Sequence, residues 1–364
     1  MAESRTLIHI LSANRWGGVE RYSLDICRHY ISHGWKVYAV TRDAKAVDSF
    51  FEKEGVNLLH APFGSMLDFQ SVRLLAQTLK KCDQNSVTIH AHGFKNAFTA
   101  LLARKIAGRK DIRVVATRHK VKKGIDSWLF RRIYRNLDAI ICVSRLAAER
   151  FLSTWHNRQL PFPESRLHVI HNSLNRNFNT PFPVREKGPV TAMFHGQIIP
   201  GKGLETLIDA MSMLKGNRMR LRIVGSGTPD YIDRLRRRAI TRGVMDMIDW
   251  YKMTPDPIEL IAESDFGVLP SQTEEAFGLS NIEYMACGRP QVCSSNGAQP
   301  EYITDGWEGF LIYPGNAAQL ADAMRKLATD PALRQRMGER AFQTFNEKLS
   351  WSHFISRLDP LYNP

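Results

Sequence analysis

Short apolar runs alternate along the chain with stretches in which apolar residues recur every three or four positions. In the first half the runs at residues 7–11, 37–40, 87–90, 114–116 and 139–143 read as strands buried on both faces. The stretches that follow them, with Leu74, Leu75 and Leu79 or Phe98, Leu101 and Leu102, carry helical spacing. This rhythm predicts a parallel sheet covered by helices. The second half repeats it, with runs at 190–194, 221–224, 266–269 and 291–293 and helices expected after Gly203, Asp230, Ser280 and Asn316.

Between the halves, residues 171–183 are rich in Asn and Pro, which favour turns and extended chain. The expectation is therefore α/β, with two doubly wound, Rossmann-like domains and a ligand cleft between them. The boundaries expected are a first domain over 1–175, a linker over 176–189, a second domain over 190–346 and a C-terminal segment over 347–364. A length of 364 residues is ample for two cores. Hydrophobic residues at 43% and charged residues at 24% are ordinary globular values, and no uncharged apolar run approaches the roughly 18 residues of a spanning helix. Residues 1–5 lead straight into the first apolar run without the pattern of a secretory signal, so the expected location is cytoplasmic. The five cysteines are scattered, which argues against a disulfide framework and a zinc site.

Candidate chemistry clusters where strands end. Gly17-Gly18-Val19-Glu20 opens a helix, and two glycines let backbone N–H groups approach an anion; a plain tight turn is the rival reading. His90 and His92 fall on one face of a strand end, where a lone histidine is more often a satisfied core group than a catalyst. In the second half, Gly196 to Lys202 has P-loop spacing, but Gly203 stands where a Mg²⁺-holding Ser or Thr belongs. Lys202 still faces a helix start, where it can neutralise a diphosphate. Gly225-Ser226-Gly227 fails the dinucleotide fingerprint because Asp230 replaces the third glycine. The most informative stretch runs from Pro270 to Pro290. Glu275 is expected on a loop and Glu283 in the first helical turns, with the N–H groups of Ala276, Phe277, Gly278 and Leu279 between them for phosphate. The chain has no D-x-D, so no metal is expected.

These motifs, in this order, resemble a retaining glycosyltransferase of family 4, the group 1 transferases of GT-B fold. Glu275-x7-Glu283 within Glu-Ala-Phe-Gly-Leu and Met-Ala-Cys-Gly-x-Pro is the most specific element. Gly17-Gly18-x-Glu20, His90-x-His92, Val143-Ser144, His171-Asn172, Gly196-x5-Lys202 and Gly225-x-Gly227 gain weight from their sequence order. The resemblance implies parallel sheets facing across a cleft, an acceptor-binding first domain, a nucleotide-sugar-binding second domain and a C-terminal helix crossing back onto the first. It implies Gly17, Gly18, Gln197 and Gly225 on the donor, and His92 near the donor sugar. It also places Lys202 on the departing diphosphate, Glu275 on sugar hydroxyls and Glu283 on the ribose. Gln197 stands where the family usually has Arg, so leaving-group charge falls more on Lys202 and helix N-termini. The implied reaction is metal-independent transfer with retention, from a nucleotide diphosphate sugar, UDP-linked rather than GDP-linked, to a glycan or lipid-linked acceptor in cell-surface polysaccharide synthesis. A nucleotide-sugar 2-epimerase and a degenerate polyanion- or membrane-binding member are the rival readings.

Charge adds one feature. The net charge is +14, and residues 104–150 hold 14 Lys or Arg against 4 Asp or Glu. Lys120, Lys122, Lys123, Arg131, Arg132 and Arg135 are interleaved with Trp128, Phe130 and Tyr134, a mixture suited to acceptor or to an anionic membrane surface at the inner face of the plasma membrane. A solvated basic face over buried aromatics is the rival reading. No nucleic-acid module is visible, so nucleic acid is not an expected partner.

Overall fold

The computed structural model describes residues 5–64, 68–82, 86–183 and 188–363. They divide into two compact units, residues 1–175 with the C-terminal residues from Phe354 on, and residues 176–353. Residues 1–4 of the N-terminal reading and 184–187 of the expected linker lie outside the described residues.

Unit 1 carries β1 (Thr6–Ile10), α1 (Gly18–Ser32), β2 (Lys36–Thr41), α2 (Lys45–Lys53), β3 (Asn57–His60), α3 (Phe69–Lys81), β4 (Val87–His92) and α4 (Phe94–Ala107). β5 (Arg113–Arg118), α5 (Trp128–Asn136), β6 (Ala139–Cys142), α6 (Arg145–Leu152) and β7 (Leu167–Val169) follow. All strand pairs are parallel, in the order β3-β2-β1-β4-β5-β6-β7. Ile8, Ile10, Ile89, Ala91, Val114 and Ile140 are fully buried, as strands covered on both faces require.

Unit 2 repeats the plan with β8 (Val190–Ile198), α7 (Leu204–Ser212), β9 (Met219–Gly227), α8 (Pro229–Thr241), β10 (Ile248–Lys252), α9 (Ile258–Ala262) and β11 (Phe266–Leu269). Then come α10 (Leu279–Ala286), β12 (Gln291–Ser294), β13 (Gly309–Ile312), α11 (Ala317–Thr329) and α12 (Pro331–Thr344). The order is β10-β9-β8-β11-β12-β13, again parallel throughout. Tyr284 of α10 packs flat on β11, where a Cβ on Gly267 would lie 2.2 Å from its ring, and its hydroxyl donates to Met193 O at 2.7 Å. Residues 176–183 are packed rather than loose. Phe178 and Phe182 cover the cluster of Met193, Tyr284 and Cys287, and buried Arg289 donates to the carbonyls of Phe182 and Pro183 at 3.1 Å. The last helix, α13 (Trp351–Tyr362), contributes Tyr362 to unit 1, where its hydroxyl bonds His90 Nδ1 at 2.5 Å.

Candidate functional site

In each sheet the strand order reverses once, between β1 and β4 in unit 1 and between β8 and β11 in unit 2. Open α/β sheets take ligands outside the carboxyl ends of strands at such a point.

In unit 2 the loops leaving β8 and β11 are tied together there. Gln272 N and Thr273 N donate to Gly201 O at 2.8 and 3.2 Å. Gly203 holds φ +75° with Pro270 O where a Cβ would stand, 1.8 Å away, so only glycine permits the approach. The result is an ion pair, Lys202 Nζ to Glu275 Oε1 at 2.6 Å, with Ser271 Oγ donating to the same oxygen at 2.5 Å. The backbone of Glu275 is fixed from behind. Ala298 N donates to its carbonyl at 2.9 Å, and a Cβ on Gly297 would lie 2.7 Å from its nitrogen and oxygen.

α10 starts at Leu279, one or two residues ahead of the start expected at Ser280 or Asn281, behind Gly278 at φ +88°. No side chain caps it, which leaves first-turn N–H groups for an anion. Ala276 is half-buried and Phe277 buried, the latter held by Tyr302, whose hydroxyl donates to Phe277 O. Glu283, in the second turn, is buried with one carboxylate oxygen 3.2 Å from His195 Nε2. His195, which no sequence motif singled out, lies within β8, and the signal for it is the partner that a buried glutamate requires. Gln197 is exposed opposite Ser226, and Gly225 lies so close to Gly196 O that a Cβ would be 2.0 Å from it.

In unit 1, Gly17 precedes α1 and Gly18 begins it, again with no side-chain cap. Burial raises the pKa of the Glu20 carboxyl in the first turn. His92 ends β4 inside a group of histidines that sequence spacing only half revealed. His9 Nδ1 lies 2.9 Å from His92 Nε2, and His119 Nε2 lies 3.0 Å from His92 Nδ1. His90 sits alongside, bonded through Nδ1 to Tyr362 and through Nε2 to Thr117 Oγ1 at 2.6 Å. Tyr22 of α1 packs edge-on against His90, His92 and His119. His9, His90 and His92 each bring a nitrogen within 4.8 Å of the others, a spacing a transition-metal ion could use. The competing occupants of those nitrogens are the protein hydrogen bonds just described.

Burial holds His9 and His119 down to about 3 and lowers His90 and His92 well below 6.5. Between pH 6.5 and about 3 the unfolded chain therefore takes protons that the folded chain refuses, and stability falls as pH falls. His9 alone should remove about 1.4 kcal/mol per pH unit in that window, and the other three act in the same direction. Urea unfolding at pH 7, 6 and 5 measures it, and equal midpoints would contradict neutral buried rings.

The basic stretch is partly corrected. Tyr134 is fully buried among Phe94, Phe151 and Trp155, and Phe130 is half-buried on the same core, so Tyr134 reaches no surface and Phe130 only in part. Their helical spacing puts them on the inner face of α5, which sequence alternation with Arg concealed. Trp128 is 74% exposed with Arg132 stacked over it, and Lys120, Lys122, Lys123 and Arg135 are exposed. Arg131 is half-buried and paired with Asp126 at 2.7 Å.

Residues 176–344 match the family described as glycosyl transferases group 1, and residues 16–178 match Glycosyltransferase Family 4. An uncharacterized glycosyltransferase of Methanocaldococcus jannaschii is 25% identical over 238 residues, 65% of this chain and 62% of that protein's length. A glycogen synthase of Mycobacterium tuberculosis is 27% identical over 289 residues, 75% of this chain and 68% of that one. The crystal structure of HepE from Anabaena, in complex with UDP and glucose, has the same fold, with a TM-score of 0.80 at 19% identity over 97% of this chain and 98% of that chain. With two parallel-sheet units and both family matches in chain order, the protein belongs to the group 1 glycosyltransferases of family 4 and has the GT-B fold.

Proposed function

We propose that the chain transfers a sugar, with retention and without a metal, from a UDP-sugar to a glycan or lipid-linked acceptor in cell-surface polysaccharide synthesis. The observation that carries this reading is the Lys202–Glu275 pair where β8 and β11 part, beside the uncapped start of α10. A diphosphate draws Lys202 and the N–H groups of Leu279 and Ser280 onto its oxygens, and Glu275 accepts from sugar hydroxyls. Glu283 takes the ribose. As the bond to the anomeric carbon breaks, negative charge grows on the diphosphate, and fixed donors aimed there lower the barrier by several kcal/mol. The acceptor oxygen bonds that carbon, its proton leaves to a phosphate oxygen, and UDP departs. The Anabaena protein's complex with UDP and glucose supports the choice of UDP. The experiment is detection of product by mass spectrometry with UDP-sugars in EDTA. Transfer should persist, and loss in EDTA with rescue by Mn²⁺ or Mg²⁺ would overturn the metal-free step.

The acceptor side is proposed at a membrane face. Among the described residues no helix is long and apolar enough to cross a membrane. Exposed Trp128, with Arg132 over its ring, adjoins a groove of about 570 Å³ between α4 and α5, lined by Leu101, Leu129, Lys105, Arg132, Arg135 and Arg166, and Lys120, Lys122 and Lys123 are exposed in the same unit. Each cation near an anionic surface contributes about 1 kcal/mol, screened over a Debye length of about 8 Å. Co-sedimentation with phosphatidylglycerol-rich vesicles at low salt, lost at high salt, is expected. Equal recovery with phosphatidylcholine vesicles would favour a soluble acceptor.

A further inference from the structure

At the β3 edge of the sheet in unit 1, register sets Thr41, the last residue of β2, opposite His60, the last of β3. After β2 the chain passes through Asp43, at φ +59°, into α2, whose first turn carries Asp48. Asp43, Asp48 and His60 each bring one ligand atom within 4.8 Å of the others. Cysteine spacing and D-x-D are blind to such a group, because strand pairing assembles it.

Asp48 is the member that needs a partner. It is 4% exposed, and neither carboxylate oxygen has a hydrogen-bond partner among the described residues. A buried carboxylate without donors is strongly disfavoured. The Arg42 guanidinium, next to Asp43 in the chain, donates instead to Phe63 O. His60 Nδ1 lies 3.6 Å from Asp48 Oδ2, too far for a hydrogen bond. Two ligands that each stand about 2.1 Å from a tetrahedral centre are about 3.4 Å apart, so the same separation suits an ion between them.

We propose that this corner binds a divalent transition-metal ion of the Zn²⁺ class through His60 Nδ1 and the carboxylates of Asp48 and Asp43, and that the ion fastens the edge strand β3 to α2.

One imidazole and two carboxylates suit such an ion, whereas Mg²⁺ prefers oxygen ligands and keeps its waters. Two carboxylates balance its charge, which removes the penalty on buried Asp48. Asp43 is exposed and the His60 side chain is 45% exposed, so the ion enters from solvent and meets Asp48 behind them. Binding costs His60 Nδ1 its contact with Thr41 Oγ1, a long hydrogen bond at 3.3 Å. The clasp takes no part in transfer, since β1 stands between β2 and the strand that carries His92. The rival arrangement is a protonated His60 acting as counter-ion to Asp48. It needs no metal, and it predicts that Asp48→Asn destabilises the protein alike in EDTA and in Zn²⁺.

Thermal unfolding and calorimetric titration of the full chain, with Zn²⁺ and Mg²⁺ as probes, decide between them. Zn²⁺ should raise the melting temperature of the metal-stripped wild type, and Mg²⁺ at the same concentration should not. Asp48→Asn and His60→Gln should each weaken Zn²⁺ about tenfold or more. The gap in melting temperature between wild type and Asp48→Asn should open in Zn²⁺ and close in EDTA. His60→Gln alters a partly exposed side chain and keeps the test available if Asp48→Asn fails to fold. Co²⁺ bound to the wild type should show visible absorption that His60→Gln abolishes. A wild type unchanged by Zn²⁺, or a gap equal in both media, overturns the proposal. So does equal Zn²⁺ affinity in wild type and His60→Gln, which would move the ion to another group such as His9, His90 and His92.

Discussion

Lys202→Ala should lower turnover about 100-fold or more at saturating donor, the scale of losing one preorganised donor at a developing charge. The size of the effect follows from the surroundings of Lys202. Gln197, five residues earlier, is exposed and brings no charge, so the ammonium carries leaving-group stabilisation together with helix N–H groups. That ammonium is held 2.6 Å from Glu275, on a turn that carries Gly201 and Gly203 at positive φ. The substitution also strands a carboxylate that is mostly buried, leaving Ser271 Oγ to donate to Glu275 Oε1. A moderate fall in melting temperature should accompany the loss of activity, since breaking a buried pair leaves an uncompensated charge. Initial rates and thermal unfolding of the same preparation separate the two effects. A folded Lys202→Ala variant with near-normal turnover would remove Lys202 from the mechanism.

The second large effect divides the two glutamates. Glu275→Gln should leave affinity for free UDP within about twofold while transfer falls at least tenfold, because Glu275 is assigned to sugar hydroxyls. Glu283→Gln should weaken UDP itself about tenfold, or 1.4 kcal/mol. The structure gives the two carboxylates different settings. Glu275 sits on a loop whose backbone is clamped by Gly297 and Ala298, with its side chain in an ion pair. Glu283 sits in α10, buried beside His195. Calorimetric titration of UDP against both variants and the wild type reads the difference. Equal losses of UDP affinity would erase the distinction.

Much of this fold was legible as pattern, and its gaps have a common cause. The nine apolar runs read as strands correspond to β1, β2, β4, β5 and β6 in unit 1 and β8, β9, β11 and β12 in unit 2. The four strands without such a signal are β3, β7, β10 and β13, and these are the edges of the two sheets. An edge strand is covered less completely, so it tolerates polar residues. Asn57 and His60 in β3 and Asp249 and Lys252 in β10 break the run that periodicity detects. Helix starts were legible to within a residue or two where glycine or asparagine precedes them, as at Gly203 and Asn316.

The candidate site divides along the same line. Lys202 and Glu275 were legible because glycines and short spacings mark the loops that carry them. Their direct pairing was not, since it depends on a contact 73 residues apart in sequence. His195 beside Glu283, and His9 and His119 flanking His92, were illegible for the same reason: contacts distant in sequence bring them together, a helix against β8 in the first case and strand register in the second. Alternating basic and aromatic residues at 128–135 misled in the opposite sense. They encode one helix whose aromatic face is core, as fully buried Tyr134 shows.

The most direct measurement is thermal unfolding of the full chain in UDP, UDP-glucose, GDP and GDP-mannose, because a ligand that binds only the folded state must stabilise it. A donor site built from Lys202, Glu275, Glu283 and the start of α10 predicts a rise in melting temperature with UDP and a UDP-sugar. That rise should approach about 2.7 kcal/mol of stabilisation at a hundred times the dissociation constant and be smaller with the guanine nucleotides. An unchanged melting temperature with every nucleotide, up to millimolar concentration, would contradict the account.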